Sequence, residues 1–345
     1  MSSGAAFRWL VFAAAALAVW KIAYEAGRIT PAASTSVPAD AMSPPARIRD
    51  AWQDIVRRSV PAKVAEAPAR IDRSPLPDGP FAANIAELER RADNGDPGAA
   101  FALAKGFRAC RFYTPPKDQA ELQQRAEDEA VNTLSLSDQL GDFVQQKARE
   151  KGITLPAPIP KADSMKTYGA ALAAETTLDA NCRGVARADV DQWLTWYAKA
   201  AALGDPDAQV GYWREAFQDA DITPLKDLQQ MKAESAAALQ QAVARGDWRA
   251  LAAIGQVFES GYYDDPDPFM AHAYFFAAAQ APDQDIAVLP WMADAGIASL
   301  FSGGRTQIFL SRQLAATASS LDAEQLAQSE QLGAQLYAQC CAGPR

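Results

Sequence analysis

The stretch DQWLTWYAKAAALGDPDA, residues 191–208, decides how this chain folds. Trp196, Tyr197, Ala200 and Ala201 recur at the three- and four-residue spacing that places side chains on one face of an α-helix. Gly204 stands where a helix ends on a left-handed C′ residue, and Asp205 stands where the next helix needs an N-cap. Ala208 is small enough to let the two helices approach closely. The stretch therefore reads helix, tight turn, helix.

The same reading recurs on both sides. ADNGDPGAAFALAKGF (92–107) and VARGDWRALAAIGQVFESG (243–261) align with it on Gly95, Gly204 and Gly246, with Ala99, Ala208 and Ala250 at the matching close-approach position. DPFMAHAYFFAAAQA (267–281) is a cognate of the helix that precedes the turn. Gly204 and Gly246 lie 42 residues apart, with a loop at Asp219 to Pro224 between them. From Phe81 onward apolar residues keep helical spacing and no segment alternates long enough to make a strand, so the body is expected to be all-α. Residues 81–112 read as a first helix pair, 113–187 as a helical insertion without turn signature, 188–281 as repeats and 282–345 as capping helices. The last two are expected at roughly Arg305 to Ser319 and Leu321 to Cys341, with Ser319 or Ser320 starting the final one.

Composition removes several functions. With 33 basic and 42 acidic residues the net charge is −9, which repels phosphate backbones and argues against nucleic-acid partners. One histidine, His272, rules out multi-histidine metal centres. No cofactor motif is present: Ser302-Gly303-Gly304 is a two-glycine turn, and the acidic loop with Asp264, Asp265 and Asp267 lacks the glycine and glutamate of a calcium hand.

The amino-terminal region has its own character. After a short tail (1–6), the apolar run from Phe7 to Tyr24 is long enough to span a bilayer as a single helix, with Lys21 near its end and Trp9, Trp20 and Tyr24 at interfacial positions. A cleaved signal peptide is the competing reading. Lys21, Tyr24, Glu25 and Arg28 occupy the zone where cleavage needs small residues, which favours the anchor. Residues 25–80 read as a Pro/Ala-rich disordered spacer: nine of the 22 prolines fall between Ile29 and Pro80.

At Trp196 through Ala208 the chain resembles the Sel-one-like repeat family, relatives of tetratricopeptide repeats, whose pattern W-Y-x-K-A-A-x-x-G-x-x-x-A it meets. Met270 through Ala279 meets the pattern in part, and Ile85 through Ala99 loosely. The resemblance implies an α-solenoid of antiparallel helix pairs that binds other proteins along its concave face. It also implies no catalytic residues and, in bacteria, a place in the envelope. The expected protein is thus a single-pass inner-membrane scaffold or adaptor with its body in the periplasm, binding other envelope proteins. The anchor's flanking charges leave its orientation a draw. Exposed aromatics are the candidate partner anchors: Tyr212, Trp213, Tyr262 and Tyr263. A glycan or small-ligand binder, and a cell-wall or polysaccharide hydrolase with a carboxylate pair, are the alternatives.

Four cysteines remain: Cys110, Cys182, Cys340 and Cys341. No C-x-x-C pair exists, so redox and zinc-ribbon chemistry are disfavoured. In an exported chain a Cys110–Cys182 bridge would tie the ends of the insertion together; in a cytosolic one all four would be buried thiols. Cys340 and Cys341 would either pair elsewhere or join to each other at a frayed helix end.

Overall fold

The computed structural model describes residues 74–150, 163–218, 225–262, 265–281 and 305–341. The expected anchor (7–24) and most of the spacer lie outside these residues. Among the described residues no helix is long and apolar enough to cross a membrane. They form twelve helices and no strand. In chain order these are α1 (Phe81–Asp93), α2 (Pro97–Cys110), α3 (Gln119–Glu150), α4 (Ser164–Cys182), α5 (Arg187–Val190) and α6 (Trp193–Leu203). They continue with α7 (Pro206–Gln218), α8 (Leu225–Ala244), α9 (Trp248–Ser260), α10 (Pro268–Ala278), α11 (Arg305–Ala318) and α12 (Ala323–Cys340).

The three aligned turns share one hydrogen-bond pattern. Gly95, Gly204 and Gly246 have φ of 89°, 96° and 79°, a region that costs other residues a Cβ clash. Each glycine amide donates three residues back, and the following aspartate amide donates five back, to Arg91, Ala200 and Ala242. This is the double closure that satisfies a helix's last carbonyls. The aspartates then cap the next helix. Asp96 Oδ1 accepts from the Ala99 amide, Asp205 Oδ1 from the Asp207 and Ala208 amides, and Asp247 Oδ1 from the Arg249 amide. Ala99, Ala208 and Ala250 are fully buried where a larger side chain would hold the helices apart.

Pairs α1/α2, α6/α7 and α8/α9 each pack on themselves and on the next pair, through α2 on α6 and α7 on α8. Like helices also meet, α6 with α8 and α7 with α9. The ring of Phe275 on α10 lies within 3 Å of where a Cβ on Gly255 of α9 would sit, so glycine sets the depth of that crossing. The carboxy-terminal end closes on α10, which carries both α11 and α12.

The insertion is a helical hairpin. Ala126 and Ala130 of the 32-residue α3 meet Ala171 of α4, with Tyr168 and Leu172 alongside. Its base is held three ways. Cys110 and Cys182 are disulfide-bonded with Cα atoms 5.3 Å apart; the Phe81 amide donates to Asn181 Oδ1 at 2.9 Å; and the Tyr113 hydroxyl donates to Asp179. Burial, then that bond, raise the Tyr113 pKa to about 12.

Two expectations about the end of the chain are refined. The final helix is capped by Asp322, not by Ser319 or Ser320. The Asp322 side chain accepts from the Gln325 amide while the Gln325 side chain accepts from the Asp322 amide. This reciprocal bonding outcompetes the serine hydroxyls just upstream. Cys340 and Cys341 are joined to each other at the helix end.

Candidate functional site

The residues of the strongest turn build two very different surroundings. On the inner side of α7, Tyr212, Trp213 and, after α9, Tyr262 are buried. Tyr212 stacks on Tyr197 at 6.1 Å, and its hydroxyl donates to Glu234 Oε2 at 3.0 Å. Trp213 packs on Tyr262, and the Phe217 ring stands edge-on to Tyr262 at 5.0 Å. Burial pushes the Tyr262 pKa up to about 12. These three aromatics are therefore helix-to-helix packing and offer a partner no open ring face, which corrects their assignment as exposed anchors. Tyr263 lies outside the described residues. The helical period identifies the aromatic positions but cannot tell the side facing solvent from the side facing the next pair, because a stacked helix is covered on several sides.

The residues singled out by the turn pattern have these surroundings. Tyr197, Ala200, Ala201, Ala208 and Ala250 are buried, and Trp196 is half-buried beneath the Lys199 ammonium, 4.7 Å from its ring centre. Lys199 also reaches Asp93 at 2.6 Å, tying α6 to the end of α1.

Between α6 and α8 opens a groove of about 330 Å³. Alanines make its floor and walls: Ala198, Ala201 and Ala202 from α6, Ala237 and Ala238 from α8. Lys199, Glu234 and Gln241 supply the polar rim. The rim is held from below, since buried Gln209 donates to both Gln241 Oε1 and the Ala201 carbonyl at 2.9 Å. The volume suits one large side chain, and methyl walls impose little shape of their own.

Asp267 of the acidic loop caps α10 by accepting from the Met270 amide at 3.0 Å, and Asp264 lies outside the described residues. Among the described residues, no cluster of three or more histidine, cysteine or acidic side chains is placed to hold a metal ion. His272 is buried between α10 and α12, its Nδ1 2.9 Å from Ser329 Oγ, which in turn donates to the Leu326 carbonyl. The contact resembles half of a catalytic dyad, but both groups are sealed from solvent and no substrate can reach them.

Burial holds the His272 pKa below its ordinary value, against a smaller opposing pull from Glu330. The unfolded chain thus takes up this proton more readily than the folded one, and stability falls as pH drops through about 6.5 toward the depressed native value. We expect melting temperatures between pH 7.5 and pH 5 to decline less steeply in His272→Gln than in the parent. Parallel declines would show that the histidine does not carry the effect.

No protein-family model matches this sequence, and no curated protein matches it. The geometry of the helix pairs, the groove and the buried aromatics is therefore what a functional reading has to explain.

Proposed function

We propose that the body is a protein-binding scaffold built as an α-solenoid of Sel-one-like helix pairs, and that the groove between α6 and α8 receives a partner segment. The observation that carries this reading is the alanine-walled groove itself, open between like helices of successive pairs and rimmed by one cation, one carboxylate and one amide. A groove of that kind takes an inserted apolar side chain while the rim pairs with mixed charges on either side of it. The chain's apolar run at 7–24 supports a membrane anchor, and the disulfides support an oxidising compartment, so the partners sought are envelope proteins.

The test is photo-crosslinking in intact cells from a benzoylphenylalanine placed at Ala202, which is exposed at the groove's edge. A discrete crosslinked envelope protein, lost when Ala237→Trp fills the groove, is the expected result. No crosslink from Ala202, alongside one from Ala173 on the outer face of α4, would move the binding surface elsewhere.

A further inference from the structure

The two disulfides of this chain stand in opposite surroundings. Cys110 and Cys182 are 4% and 2% exposed, and their bond is sealed at the base of the hairpin. Cys340 and Cys341, joined to each other, are both half-buried where α12 ends. A thiolate breaks a disulfide only where it reaches a sulfur, so a reductant in solution meets the second pair while the first stays covered.

Connectivity adds a second difference. Bridged cysteines usually hold their Cα atoms about 4.4–6.8 Å apart, and Cys110 and Cys182 do so at 5.3 Å. Neighbours across a trans peptide are fixed at about 3.8 Å, so Cys340 and Cys341 close a tight ring through their own peptide bond. A bridge held away from the usual separation is the more easily reduced. The ring sits at a fixed place on the body. The Cys341 amide donates to the Tyr337 carbonyl at 2.8 Å, and the Cys340 carbonyl lies 3.4 Å from where a Cβ on Gly246 would sit, against the α8/α9 turn. The last turn of α12, Tyr337 to Cys340, carries no charged side chain, so no carboxylate on it repels an incoming thiolate.

We propose that Cys340–Cys341 is a redox-active thiol-exchange site whose substrate is a dithiol, while Cys110–Cys182 serves structure alone. A thiolate of the dithiol attacks one sulfur, breaking the Cys340–Cys341 bond and forming a mixed disulfide; the other sulfur leaves as a thiolate and takes up a proton. The second thiol of the dithiol gives up its proton and attacks the mixed disulfide. This frees the remaining cysteine and closes the dithiol into its own disulfide, so two electrons and two protons pass to the chain. A monothiol completes this poorly, because the neighbouring cysteine, one residue away, expels it from the mixed disulfide before a second molecule arrives.

The test uses the full-length chain, purified without reductant and equilibrated in dithiothreitol buffers of stepped reduced-to-oxidised ratio. Samples are acid-quenched, unfolded, alkylated with N-ethylmaleimide and read by peptide mass. Labelling of both Cys340 and Cys341 is expected at a ratio at least about tenfold below the one that opens Cys110–Cys182, with the tryptophan emission of the folded chain retained. Glutathione at the same thiol concentration should open the pair far less completely. The selectively reduced chain, freed of reductant, should then release two thionitrobenzoates from Ellman's reagent and keep none, because the second thiol displaces the first adduct; Cys341→Ser should release one and keep one. The proposal is overturned by maleimide labelling without reductant, or by both bridges opening together. It is equally overturned by opening only with loss of the folded emission, by glutathione matching dithiothreitol, or by thionitrobenzoate retained on the parent. The ring and the α6–α8 groove share no residue, so either can fail without the other.

Discussion

Replacing Cys110 and Cys182 with serine is expected to remove about 4 kcal/mol of stability. The two cysteines are 72 residues apart, and leaving a loop of that length open gives the unfolded chain about that much conformational freedom. The loss should appear as a lower urea midpoint by tryptophan fluorescence, with the hairpin α3/α4 losing amide-exchange protection first, since its base depends on the bridge. Reductant provides the internal control. It should lower the parent's midpoint to near that of the double variant while moving the variant little, because the Cys340–Cys341 pair closes no loop of consequence. A parent that already unfolds at the variant's midpoint without reductant would mean that the 110–182 bridge is not formed.

Arg249→Met is expected to cost about 3 kcal/mol. The Arg249 guanidinium reaches Asp247 Oδ2 and Asp207 Oδ1 at 2.7 Å each, with a side chain 18% exposed. Burial disfavours its charge, but the two carboxylates outweigh that and its pKa is raised. Removing the cation leaves two carboxylates without their shared counter-ion in a part-buried turn, the situation in which breaking an ion pair is most damaging. Lysine should rescue only partly, because an ammonium cannot fork toward both acids. Adding Asp207→Asn to Arg249→Met should restore about 1 kcal/mol, the coupling expected of groups in contact. Strictly additive losses would show that Arg249 and Asp207 do not interact in solution.

What the sequence revealed, and what it hid, follows from the range of each interaction. The turns at Gly95, Gly204 and Gly246 were legible because their chemistry closes within nine residues: one left-handed glycine, two backbone bonds and one aspartate cap. The Cys110–Cys182 bridge was legible because both cysteines sit at the ends of a segment that interrupts the pattern. The final helix start was misplaced by a few residues because Ser319, Ser320 and Asp322 are all competent caps. Only the reciprocal bond from Gln325 separates them. The burial of Tyr212, Trp213 and Tyr262 depends on how one pair stacks on the next, which periodicity within a helix does not encode.

The bridge from Arg249 to Asp207 spans two turns, 42 residues apart, and leaves no local signature. The alanine groove was equally silent. An alanine reads as a good helix former wherever it stands, and whether it lines a groove or a core is decided by the partner helix.

The direct packing of α2 on α6 has a consequence for how much length the arm between them can vary. Those helices sit together even though the whole 72-residue excursion runs between them in sequence. The excursion leaves the helix pairs and returns beside the point where it left, with α4 packed on α1 and α2 while α2 and α6 meet directly. The paired cysteines fasten the arm at its neck, so the two ends stay together whatever the length of chain between them. Length differences among related chains are to be sought at this seam.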